Sequence, residues 1–127
     1  VEITYGLERL CMFVKGKNNV FDLDWNNNGV KYKEVFFQAE KEFSAYNFEF
    51  ANTDTLLKNF DSTENECQTL LEKKLSLPAY DQCLKASHIF NLLDARGVIG
   101  VAERTGYINR IRELSKGCGS LWLSAQA

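Results

Sequence analysis

Hydrophobic and polar residues alternate along this chain with two different periods. Glu2-Ile3-Thr4-Tyr5 has the period of two of a short strand, Gly6 breaks it, and Leu7 to Val14 takes up helical spacing. Gly16-Lys17-Asn18-Asn19 marks the end of that helix. Val20-Phe21-Asp22-Leu23-Asp24-Trp25 then alternates loosely. Asn26-Asn27-Asn28-Gly29 is a turn signal, because asparagine and glycine tolerate positive φ, and Val30-Lys31-Tyr32 reads as a return strand. The pattern therefore predicts a small β-hairpin.

From Glu34 onward the period is helical. Phe36, Phe43, Tyr46 and Phe50 fall on one face, with Gln38, Lys41 and Glu42 opposite. Thr53 or Asp54 is placed to cap a helix running to about Lys74, with a break expected at Asp61-Ser62. Ser76 is the expected cap of the next helix and Pro78 lies in its first turn. In its second half Ile89, Phe90, Leu92 and Leu93 surround the axis, so this helix, reaching about Arg96, should lie at the centre of the helical part. A final helix over about Val98 to Leu123 carries Ile108, Ile111, Cys118 and Leu121 as one stripe. Its glycines predict breaks near Gly106 and Gly117, since each costs about 1 kcal/mol in a helix interior. The expected fold class is mainly α. A strand-helix and a hairpin over residues 1–33 precede a helical domain of about four to five helices over residues 34–127.

Composition fits one ordinary domain: of 127 residues, 45% are hydrophobic and 25% charged, and proline occurs once. No apolar run approaches the length of a membrane span. A strand at the first residue, without an initiating methionine, leads us to expect a piece of a longer chain whose sheet lies upstream. Cys11, Cys67, Cys83 and Cys118 are scattered without a C-x-x-C pair. They read as free thiols in a reducing, cytoplasmic setting, although spacing alone leaves a disulfide open. The net charge of −2 speaks against a generally basic nucleic-acid binder. Residues 85–127, however, carry six Lys/Arg against three Asp/Glu, which leaves room for a local basic surface.

Self-contained catalytic motifs are missing from the sequence. His88, the single histidine, lies between Leu84 and Leu92 and reads as a hydrogen-bonded structural residue. Glu40, Glu42 and Glu49 read as a solvated face. The residue with chemical promise is Arg9. An arginine in the first turn of a helix, just past a strand and a glycine, can hold a phosphate with the oriented N–H groups beside it. A solvated arginine on a packed helix is the alternative reading of the same residues.

Gly-Leu-Glu-Arg-Leu at 6–10 resembles motif 3 of the class II aminoacyl-tRNA synthetases. Read with Glu2 to Leu10 as a whole, with Val20-Phe21-Asp22-Leu23, and with Tyr46-Asn47-Phe48-Glu49-Phe50-Ala51 and Leu77-Pro78-Ala79-Tyr80, the chain resembles bacterial glycyl-tRNA synthetase alpha subunits. The likeness continues through His88-x-Phe90-Asn91-Leu92-Leu93-Asp94-Ala95-Arg96, Glu103-Arg104 and Tyr107-Ile108-x-Arg110-Ile111-Arg112, in family order and over nearly the whole chain.

That resemblance implies an ATP-dependent ligase that adenylates glycine and transfers it to tRNA(Gly), built as an alpha2–beta2 tetramer around an alpha–alpha dimer. It also implies that residues 1–33 close an antiparallel-sheet catalytic core. Arg9 would hold the ATP γ-phosphate, Gly6 would let the backbone approach the nucleotide, and Glu2 would join a Mg²⁺–phosphate network. The pattern around Thr4 also resembles eukaryotic-type glycyl-tRNA synthetases, which implies a contact from Thr4 to glycine. The second half resembles more loosely the helical domain of alanyl-tRNA synthetases at Asp94, Gly106, Tyr107 and Arg110, implying phosphate contacts to tRNA from Arg104, Arg110, Arg112 and Lys116. Ion pairs with Glu103 and Glu113 on a solvated helix are the alternative for those cations, and a non-catalytic module for subunit assembly or RNA docking is the alternative for the whole. Class II motifs 1 and 2 are not among these 127 residues. An ATP–pyrophosphate exchange assay on the 127-residue piece alone should therefore read blank, and measurable exchange would contradict the partial-site reading.

Overall fold

A computed structural model describes residues 5–126. The helices are α1 (Leu7–Val14), α2 (Tyr32–Ala45), α3 (Thr53–Glu72), α4 (Ser76–Ala95) and α5 (Val101–Gln126), with a 3₁₀ turn at Val20–Asp22 and a π turn at Tyr46–Phe50. The chain divides into two compact units, one ending at Tyr46 and one beginning at Asn47.

In the first unit α1 begins after Gly6, whose φ of +70° a side chain would strain, and ends at Gly16 with φ +60°. The predicted hairpin is not formed. Among the described residues there is no β-strand, and the predicted opening strand falls mostly on residues outside them. The turn itself is present: Asn26 Oδ1 accepts from the N–H groups of Asn28 and Val30, and Gly29 has φ +85°. Both flanking arms, however, are captured by helical turns. Asn19 Oδ1 accepts from Phe21 N–H and closes the 3₁₀ turn, while Glu34 accepts from Lys31 N–H and starts α2 at Tyr32. One antiparallel bridge, Asp24 to Lys31, is what remains of the ladder. Packing comes instead from aromatic rings. Phe21 meets Phe37 edge-on at 5.0 Å, and Phe36 lies 4.6 Å from Tyr32 and 5.2 Å from Trp25.

The second unit is a three-helix arrangement. Asn52, rather than Thr53 or Asp54, caps α3 by accepting from Thr55 N–H, and α3 runs without a break through Asp61-Ser62. Ser76 is the first residue of α4 and not its cap; Leu75 precedes the helix without a capping side chain. The central position expected for α4 is found: Ala79, Cys83, Ala86, Phe90, Leu92 and Leu93 are buried. Leu56, Phe60, Phe90, Leu93 and Ile99 form one part of the core, and Cys67, Ala79, Cys83, Leu114 and Cys118 the other.

α5 is continuous through Gly106 and Gly117, against the expected breaks. Gly117 is there for space, since a Cβ would stand 2.9 Å from Leu71 Cδ1. The contacts Glu64–Arg110 and Leu71–Gly117 both advance by seven residues, which makes α3 and α5 parallel. The main polar tie between them is Arg110. Its guanidinium donates to both oxygens of Glu64 and, at 2.8 Å, to Asp61, and it lies over the rings of Phe60 (4.6 Å) and Tyr107 (5.0 Å). The Glu64 bond foremost, with Asp61 behind it, holds the Arg110 pKa above its ordinary value.

The cysteines are free, as expected. Burial first, then the neighbouring Cys118, pushes the Cys67 thiol up to about 12. A thiol whose pKa is raised by folding favours the native state below its unfolded value and loses that contribution as pH rises. Unfolding free energy should therefore decline between about pH 9 and pH 12, more steeply in the parent than in Cys67→Ala; equal slopes would contradict this. Glu64→Ala should lower the unfolding free energy by about 2 kcal/mol in a urea melt, as expected for lost hydrogen bonds to a charged group; a change within about 0.5 kcal/mol would contradict the structural role of the pair.

Candidate nucleotide site and basic face

Arg9 is exposed in the first turn of α1. It lines a surface cavity of about 580 Å³ together with Tyr5, Gly6, Glu8, Met12 and Val20. The helix start has no side-chain cap, so the first N–H groups of α1 lack a partner from a capping side chain. An open helix start, a glycine at the approach and a forked cation together suit an anionic oxygen cluster. Glu8, the acidic neighbour, has another contact: Tyr32 Oη lies 3.4 Å from Glu8 Oε1. Burial, with the Glu8 charge second, raises the Tyr32 pKa, so the phenol keeps its proton and faces the carboxylate as donor. Glu2 and Thr4 lie outside the described residues.

The four cations expected to meet RNA are not equivalent. Arg104 Nε donates to Asp94 at 3.1 and 3.2 Å, across the α4–α5 turn. Arg110 is committed to Glu64 and Asp61 as described. Arg112 and Lys116 are exposed, and Lys116 reaches only Glu113, at 4.0 Å. Thus the expected alternative, ion pairing, occurs for Arg104 with Asp94, for Arg110 with Asp61 and Glu64, and for Lys116 with Glu113, the last of these an expected partner. Sequence reasoning could not find Glu64, because it stands 46 positions from Arg110 with no periodic relation to it. His88 is exposed and lines a surface groove, in contrast to the structural role expected of it.

Among the described residues no group of three or more His, Cys, Asp or Glu gathers as a metal site. No helix of the described residues is long and apolar enough to cross a membrane.

This helical chain, with Arg9 at an uncapped helix start and exposed cations on α5, is a component of an aminoacyl-tRNA synthetase by its family. The family model described as Glycyl-tRNA synthetase alpha subunit matches residues 1–127, and the chain belongs to that family. The family's enzyme is a glycine–tRNA ligase of translation.

Proposed function

We propose that this chain supplies the phosphate-binding edge of the glycine-activating site and, through α5, a surface for tRNA(Gly). The observation that carries the first part is the open start of α1, with Gly6 at positive φ and Arg9 exposed beside it, in a chain of this family. In adenylation a carboxylate oxygen of glycine attacks the α-phosphorus of ATP and pyrophosphate leaves. Arg9 on the γ-phosphate would position that chain and carry part of the charge growing on the leaving group. Gly6 admits the nucleotide without a side chain in the way. Thr4 toward glycine and Glu2 as an oxygen ligand of Mg²⁺ belong to the same proposal. The remaining walls would come from the rest of the catalytic core in an alpha2–beta2 enzyme of the cytoplasm. On α5 the phosphate-contact role narrows to Arg104, Arg112 and Lys116, because Arg110 would have to leave two carboxylates and two rings to serve.

The test is Arg9→Ala in the full alpha chain assembled with its beta subunit. Glycine-dependent ATP–pyrophosphate exchange should fall about 100-fold or more, the scale of losing one group that stabilises developing charge. Arg9→Lys should recover part of it, because the charge returns without the fork. Exchange at the parent rate in Arg9→Ala would overturn the assignment.

A further inference from the structure

A second cavity lies in the helical unit, at the end opposite the Arg104–Asp94 pair. It has a volume of about 260 Å³ and is lined by Ser76, Leu77 and Tyr80 of α4 and by Ser115, Cys118, Gly119 and Trp122 of α5. Tyr80 and Trp122, one from each helix, are 46% and 44% exposed, so both side chains are partly open to solvent. Gly119 keeps the α5 side of the cavity free of a side chain. Two aromatic walls with hydroxyl groups at their edges suit a flat, polar-rimmed ring better than an aliphatic side chain.

The surrounding charge narrows the choice further. Arg112 stands three residues before Ser115 and Lys116 three before Gly119, one turn from the cavity wall on α5, and Lys73 and Lys74 precede the α4 wall. The carboxylates of residues 72–81 and 112–126 are Glu72, Asp81 and Glu113, and Asp81 is paired with Lys85, so these four cations outnumber the carboxylates left to them. An aromatic slot edged by cations is the arrangement used for unpaired bases, whose rings stack while their phosphates meet the positive rim.

We propose that the Tyr80–Trp122 cavity receives one unpaired base of an RNA strand, with the adjoining phosphates on Arg112 and Lys116. The proposal rests on the reading that α5 faces tRNA, and it adds a site for a base to a surface that otherwise meets only backbone. It also assigns roles to Trp122 and Tyr80, which neither the core nor the α1 site uses.

The test uses the full alpha chain assembled with its beta subunit, tRNA(Gly) as the probe, and the variants Trp122→Ala, Trp122→Phe and Tyr80→Ala. Trp122→Ala should weaken tRNA binding about tenfold, the scale of one lost base–aromatic stack, and Trp122→Phe should restore most of it. The salt dependence should be unchanged in Trp122→Ala but shallower in Arg112→Gln/Lys116→Gln. Unchanged tRNA affinity in both Trp122→Ala and Tyr80→Ala would overturn the proposal. So would weaker alpha–beta association in sedimentation with tRNA affinity intact, which would mark the cavity as a protein-docking site. Ultraviolet crosslinking of tRNA separates the two levels. Crosslinks within residues 47–126 that avoid 76–80 and 115–122 defeat the base site alone, whereas none within 47–126 defeats the reading on which it rests.

Discussion

The packing of the helical unit depends on one side chain, Arg110. Glu64 sits on the inward face of α3 with its side chain 12% exposed, and a carboxylate in that position is expensive to leave unpaired. Arg110 answers both of its oxygens, takes Asp61 in addition, and lays its flat face on Phe60 and Tyr107. A guanidinium can do this because it is planar and forked, and an ammonium cannot. The clasp sets the register of two parallel helices that have no loop of their own to align them. Two turns further along, the same register brings Gly117 against Leu71, whose side chain would have to shift to admit a Cβ there.

That arrangement decides which charges are available for function. The positive balance of the C-terminal third suggests a broad basic face, but much of it is spent internally. Arg96 donates to the Ala51 carbonyl at 2.9 Å, Arg104 holds Asp94, and Arg110 holds α3. Arg112 and Lys116 face solvent on α5 near the Tyr80–Trp122 cavity, and Arg104 stays half exposed while it holds Asp94. In the first unit the division is similar. Lys31 is paired with Asp24 and Glu8 faces Tyr32, whereas Arg9 projects from an uncapped helix start.

Periodicity made the helical class legible, together with the central place of α4 and the free state of the cysteines. Where the reading failed, a local rule met either a competing local hydrogen bond or a partner far along the chain. Asn26 to Gly29 do turn the chain, but the arms next to that turn were claimed by Asn19 and Glu34 for helical turns, and both competitors are visible only as hydrogen bonds. Gly117 was read as a weakness in a helix because propensity sees the missing side chain and not the leucine of another helix that needs its space. The role of Arg110 was the hardest to read: in sequence it is one of several arginines, and its partners lie on α3. The α1 proposal draws on local sequence, since Gly6 and Arg9 stand three positions apart at one helix start.

The central claim is that the start of α1 is a nucleotide-binding edge. Photolabelling the assembled enzyme with azido-ATP, followed by peptide mapping of the alpha chain, tests it most directly. The account predicts label within Tyr5 to Val14, displaced by excess ATP. Label confined to other peptides, with Tyr5 to Val14 recovered unmodified, would contradict it.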